Sequence, residues 1–176
     1  MEFIDTPIPG LRLARLAPIR DERGYFSRLY CQESFAKAGF PDPIVQSNQS
    51  LTMKAGTVRG LHYQLAPHAE TKFVRCTSGR IWDVAVDIRP ESPTYGHWYA
   101  HELSPENFLV MLIPEGFAHG FQALEDESSL LYMVSRPYCG AAERGLRFDD
   151  PALGIDWPLP VIGVSPRDRQ HPLLQP

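Results

Sequence analysis

Apolar and polar positions alternate most cleanly between Lys72 and Ile88. In KFVRCTSGRIWDVAVDI, Trp82, Val84, Val86 and Ile88 fall on one face of an extended chain, and Ile81, Asp83, Ala85 and Asp87 fall on the other. The two β-rich halves flank Ser78-Gly79, so the pattern predicts a hairpin with two differently used faces. With Ser78-Gly79 as its loop, Lys72 lies near Ala85 across the ladder and diagonal to Asp83, which allows an ion pair pointing into a barrel. Further strands are expected at 44–50 (IVQSNQS), 97–103 (HWYAHEL), 108–114 (FLVMLIP) and 129–135 (SLLYMVS), at intervals typical of a sandwich or barrel. Helical periodicity is confined to ESFAKAG, 33–39, before Gly39 and Pro41. No repeat or linker interrupts the chain. The proline-rich tail from Asp149 is expected to wrap the barrel and pack Trp157.

Composition narrows the class. The 176 residues are 43% hydrophobic and 22% charged, which is one domain's worth of ordinary globular polymer spanning 1–176. Seventeen prolines and 13 glycines favour turns and short elements over a helical bundle. A net charge of −4 offers no basic field for nucleic acid. No apolar run approaches the roughly 18 residues of a membrane span, and MEFIDTPIPGLRLARLAP lacks the pattern of a signal peptide. Cys31, Cys76 and Cys139 are odd in number and widely spaced, as expected of packing residues in a reducing, cytoplasmic setting.

Candidate chemistry gathers in two histidine motifs, GTVRGLHYQ (56–64) and PEGFAHGF (114–121). They resemble the two half-motifs of a cupin jelly roll, with His62 and Gln64 where metal cupins usually carry H-x-H. A transition-metal site wants three or four converging imidazole or carboxylate ligands. Only His62, His119 and Glu70 are on offer, so a metal-free, cofactor-free cupin is expected.

A wider set of segments carries a more specific resemblance: DERGYF (21–26), QSNQS (46–50), ETKFVRCTSGRIWDVAVDIRPESPTYG (70–96), IPEGFAHGFQAL (113–124), Tyr132-x-x-Ser135-x-x-Tyr138 and SPRD (165–168). Together with the histidine motifs these resemble the dTDP-4-dehydrorhamnose 3,5-epimerase family across nearly the whole chain. The resemblance implies an all-β cupin-type jelly-roll barrel with a few short helices. It also implies epimerisation of a nucleotide-linked 4-keto-6-deoxy sugar at C3 and C5.

That reaction removes a C–H proton beside a ketone, stabilises an enolate and returns a proton to the opposite face. His62 suits the base, since an unperturbed imidazole has a pKa of roughly 6.5. Asp168, matching the family's partner aspartate, would accept a hydrogen bond from its other nitrogen. Lys72 would stabilise the enolate oxygen, Asp83 would keep Lys72 charged, and the resemblance gives Tyr132 the role of opposite-face acid. His119 is expected to support the site or touch substrate. The family pattern assigns Arg23 and Arg59 to the diphosphate, Gln46, Asn48 and Ser50 to its vicinity, and Phe26 and Tyr138 to the base or sugar. Arg28 stands where the family often has a glutamate near the base. His68, His97, His101 and His171 are expected at the surface, and Arg75, Arg80 and Arg89 on solvated faces. A homodimer is expected because jelly-roll edges need cover and the N-terminal segment resembles the family's intersubunit strand. The rival readings are an epimerase acting on one carbon or another nucleotide sugar, a metal-dependent cupin enzyme using His62, Glu70 and His119, and a non-catalytic sugar-binding cupin.

Overall fold

In the computed structural model, which describes residues 1–175, the alternating segment forms two strands that do not pair with each other. β7 (Lys72–Ser78) lies in a six-stranded sheet and β8 (Ile81–Asp87) in a five-stranded one. The expected hairpin is therefore corrected to a corner between sheets. Its physical cause is the packing of Gly79: φ is +67°, and a Cβ there would sit 2.5 Å from Ser128 Oγ. The same hydroxyl donates to the Arg80 carbonyl at 2.9 Å and accepts from the Arg80 amide at 3.3 Å. The turn is thus pinned to a third strand, and the chain leaves it toward the opposite layer.

The six-stranded sheet runs in the order β1 (Glu2–Asp5), β2 (Arg12–Arg15), β10 (Leu109–Ile113), β7, β12 (Ser128–Val134), β5 (Gln46–Thr52). The five-stranded sheet runs β13 (Glu143–Gly145), β6 (Val58–Gln64), β11 (Phe117–Ala123), β8, β9 (Trp98–Leu103). The crossovers are those of an all-β jelly roll of the cupin type. A separate two-stranded ribbon, β3 (Ile19–Asp21) with β4 (Gly24–Phe26), pairs with neither sheet, and its Tyr25 packs edge-on against Phe108. The N-terminal strand pairs with β2 of its own chain. No helix of the described residues is long and apolar enough to cross a membrane.

The alternation read from the sequence holds on β8. Ile81 and Ala85 enter the cluster between the sheets with Val74, Cys76, Met111 and Leu130. Val84 and Val86 face outward and are covered by the tail, through Leu146, Leu153, Ile155 and Trp157. On the far side of the six-stranded sheet, Phe73 packs edge-on against Phe35 of α1 (Gln32–Lys37), ring centroids 4.9 Å apart. Such an aromatic pair adds about 0.5–1.5 kcal/mol beyond its buried area. With both outer faces covered, the polar residues on the strands' inner faces line an opening at one end of the barrel.

Candidate active site

Two glycines explain how the histidine motifs meet. Gly60 on β6 has φ +122°, and a Cβ on it would fall 2.5 Å from the Gly120 Cα on β11. Only a glycine pair permits that approach, and it brings His62 opposite His119 in register. Both line a cavity of about 780 Å³ between the sheets.

His62 Nε2 lies 2.8 Å from Asp168 Oδ1. An ionised carboxylate only accepts, so this nitrogen carries the proton and leaves the Nδ1 lone pair free. Asp168, in a short 3₁₀ turn and 4% exposed, also accepts from the Gly60 amide at 3.3 Å. Burial opposes its charge, but the His62 ring and the Gly60 and Ser165 hydrogen bonds outweigh that and hold its pKa below the usual carboxylate value. A stable anion therefore waits behind the imidazole.

Lys72 points into the same cavity from β7, with Nζ 3.3 Å from Glu70 Oε1 and 3.3 Å from the His62 carbonyl oxygen. The expected Asp83 partnership is corrected. Asp83, fully buried, instead holds His119 Nε2 at 2.8 Å. The reason is the sheet assignment: Asp83 and His119 sit on paired strands, whereas Lys72 belongs to the other layer. Glu70 also accepts from Gln64 Nε2 at 3.0 Å, so the glutamine in place of a second motif histidine is a clamp on the carboxylate facing Lys72. His62, Glu70 and His119 each have a different partner, and the ligand set of a metal cupin does not assemble.

Tyr132 reaches the cavity from β12, in the sheet opposite His62. Burial, reinforced by the Glu70 charge, raises its pKa above 10.0, so the phenol keeps its proton at neutral pH. The His62 imidazole and the Tyr132 phenol thus face one cavity from opposite walls.

Gln46, Asn48, Ser50, Arg59 and Tyr138 line the same cavity. Arg59 is aimed by Thr52 Oγ1 at 3.0 Å and the Leu51 carbonyl at 2.9 Å. The Tyr138 hydroxyl donates to Glu143 Oε2 at 2.6 Å, and Arg167 Nη2 lies 2.5 Å from the same oxygen. Sequence reasoning missed Glu143, Arg167 and the Lys72–Glu70 pair. Arg167 stood within SPRD beside Asp168, a usable signal; Glu143 had none. It also misplaced His171, whose side chain is only 12% exposed and lies against Asp168. Arg75, expected on a solvated face, is 5% exposed beneath the Phe108 ring.

Arg23 and Phe26 are not part of this cavity. They belong to the β3–β4 ribbon, where Arg23 pairs with its own Asp21 and Phe26 is 67% exposed. Their absence is a consequence of topology, because the ribbon pairs with neither sheet.

Comparisons with known proteins place the chain in a family. A family model described as dTDP-4-dehydrorhamnose 3,5-epimerase matches residues 5–176. The chain belongs to that family. A Sinorhizobium fredii dTDP-4-dehydrorhamnose 3,5-epimerase is 45% identical over 175 residues, covering 99% of this chain and 90% of the relative. The Bacillus anthracis epimerase, crystallised with TDP and PPi bound, superposes with a TM-score of 0.95 at 36% identity, covering 98% of this chain and 99% of that one. The Legionella pneumophila dTDP-6-deoxy-D-glucose-3,5-epimerase, in complex with dTDP-4-keto-L-rhamnose, gives 0.93 at 38% identity, covering 98% and 92%.

Proposed function

We propose that this epimerase-family chain inverts C3 and C5 of a dTDP-linked 4-keto-6-deoxy sugar, converting dTDP-4-dehydro-6-deoxy-D-glucose to dTDP-4-dehydro-L-rhamnose. The observation that carries the reading is the placement of the His62–Asp168 pair and Tyr132 on opposite walls of one cavity, with Lys72 between the sheets.

His62 Nδ1 takes the proton from the carbon beside the ketone, and the C–H electron pair moves into an enolate. Asp168 stabilises the imidazolium. Lys72, its ammonium already oriented by Glu70 and the His62 carbonyl, stabilises the enolate oxygen. As the carbonyl re-forms, the Tyr132 hydroxyl protonates the same carbon from the other face. The resulting imidazolium and phenolate return to their starting states by proton exchange with solvent. C3 and C5 flank the same ketone, so one enolate-stabilising ammonium serves both centres. Arg59 would clamp a phosphate through its paired N–H donors, with Gln46, Asn48, Ser50 and Tyr138 holding the rest of the nucleotide. His119, held by Asp83, supports the cavity wall beside His62.

Arg23 and Phe26 enter through a second copy. The family pattern assigns them to the nucleotide, yet they project on a ribbon whose Ile19, Tyr25 and Phe26 are 71%, 53% and 67% exposed. The edge strand β5 is followed by Met53, 55% exposed, and itself carries Leu51, 51% exposed. Exposed edges and apolar ribbons need cover, and a homodimer in which the ribbon of each copy reaches the cavity of the other supplies it. The three free thiols and the nucleotide-sugar substrate fit a cytoplasmic enzyme.

NMR of dTDP-, CDP- and GDP-4-keto sugars incubated with the protein in deuterated water tests the reading. Deuterium should enter C3 and C5 of the dTDP sugar with inversion at both. Inversion at a single carbon would make this a mono-epimerase; binding without exchange would make it a sugar-binding cupin.

A further inference from the structure

Beside the dyad, and not among the residues lining the cavity, stands a third polar side chain that the proposed reaction does not use. His171 Nε2 is buried, has no hydrogen-bond partner and lies 3.6 Å from the same Asp168 oxygen that holds His62. The two imidazole rings are 5.7 Å apart and nearly perpendicular. The donor atoms of His62, Asp168 and His171 all fall within 4.8 Å of one another. Gly145 makes room for this arrangement. It is the register partner of His62 on β13, and a Cβ there would collide with the His171 ring.

We propose that His62, Asp168 and His171 form an inhibitory site for Zn²⁺ or an ion of similar ligand preference. Two imidazoles and one carboxylate are a ligand set that zinc takes readily, with a water in the fourth position. At metal–ligand distances of about 2.1 Å, tetrahedral donors are roughly 3.4 Å apart. The two carboxylate–imidazole separations, 2.8 and 3.6 Å, bracket that spacing. A small swing of the rings closes the third.

The consequence for catalysis follows from the tautomer. In the resting dyad Nε2 of His62 carries the proton and Nδ1 the lone pair. A metal ion on Nε2 displaces that proton, and the neutral ring holds it on Nδ1 instead. The nitrogen facing substrate then donates a hydrogen bond and cannot abstract a C–H proton. No charge is lost from the ring and no bond to substrate is needed. The inhibition rests on His62 being the base, whereas the binding does not.

Titration of the full chain with zinc chloride alone, followed by calorimetry, measures the site directly. The expected result is one zinc per chain, removable by EDTA, with binding at least about 100-fold weaker in His171→Phe, because losing a direct ligand costs no less than losing an outer partner of one. His171→Cys, which restores a zinc ligand, should recover the affinity and so separate ligation from misfolding. Cobalt(II) bound in the wild type should show the visible absorption of a tetrahedral site, lost in His171→Phe. Exchange of sugar protons with deuterated water should stop at the zinc concentration that fills the site. Zinc binding that is absent, or equal in wild type and His171→Phe, would overturn the site. Histidine-dependent zinc binding with undiminished exchange would overturn the inhibition and remove His62 as the base, while the site itself would stand.

Discussion

Lys72 and Arg23 are both cations assigned to ligand work, and the fold treats them in opposite ways. Lys72 is 9% exposed, and its ammonium is set by Glu70 and a backbone carbonyl. Arg23 projects from a ribbon and pairs only with Asp21, two residues away. The barrel interior holds its charges in buried or half-buried pairs: His62 with Asp168 of the 3₁₀ turn, His119 with Asp83 of β8, and Lys72 with Glu70 just before β7. Charges oriented in this way stabilise developing charge without reorganising. On the ribbon Tyr25 and Arg20 pack against Phe108, but Arg23 and Phe26 are left exposed to solvent. The cavity groups are thus preorganised by the fold of one chain, whereas Arg23 and Phe26 have no such setting within it.

The strongest break in this comparison is loss of the base. His62→Ala should lower inversion by about 10²–10⁴-fold and abolish exchange of the α-protons. Tyr132→Phe removes only the hydroxyl, so abstraction and enolate stabilisation should survive. Deuterium exchange with retained configuration should then outlast inversion, in the same NMR assay. Normal inversion by Tyr132→Phe would assign the second proton to another donor.

A buried carboxylate with no part in the reaction separates pairing for stability from pairing for chemistry. Asp87 is fully buried and accepts from Arg89, Ser92 and Thr94, at 2.6 Å from each of their nearest donors. Asp87→Ala should cost about 3–5 kcal/mol of unfolding free energy, seen in urea denaturation. Burial opposes the Asp87 charge, but the hydrogen bonds from Arg89, Ser92 and Thr94 dominate and depress its pKa well below 3.8. A carboxyl depressed in the folded state gives stability that is complete above its unfolded pKa and lost as pH falls toward the folded one. The difference between wild type and Asp87→Ala should therefore be constant above about pH 5 and shrink only below pH 4.

Smallest are the effects expected on the ribbon. Arg23→Ala and Phe26→Ala should raise KM for the nucleotide sugar about tenfold and leave the thermal midpoint of the fold unchanged. Light scattering at micromolar concentration should show a dimer for the wild type. A monomer with full activity would return Arg23 and Phe26 to ordinary surface residues.

The sequence by itself determined most of the strands and pointed to most of the polar side chains that line the cavity. Period-two alternation on β8 is a local property, because neighbouring side chains on an extended chain must face opposite ways. The glycines of RGLH and AHGF, the histidines they bring together, and Tyr132, Lys72 and Asp168 were legible in short motifs. Pairing was not. Ser78-Gly79 suits a hairpin loop by composition, and only the contact of Gly79 with Ser128 sends the chain to the other sheet. That corner gave Asp83 to His119 and left Lys72 to Glu70. His171 was unreadable for the same reason: it is 109 positions from His62, and only the wrap of the tail over β13 brings it behind Asp168. Local periodicity chooses which residues face inward, but which inward residues meet depends on strand order, and strand order is fixed by long-range packing.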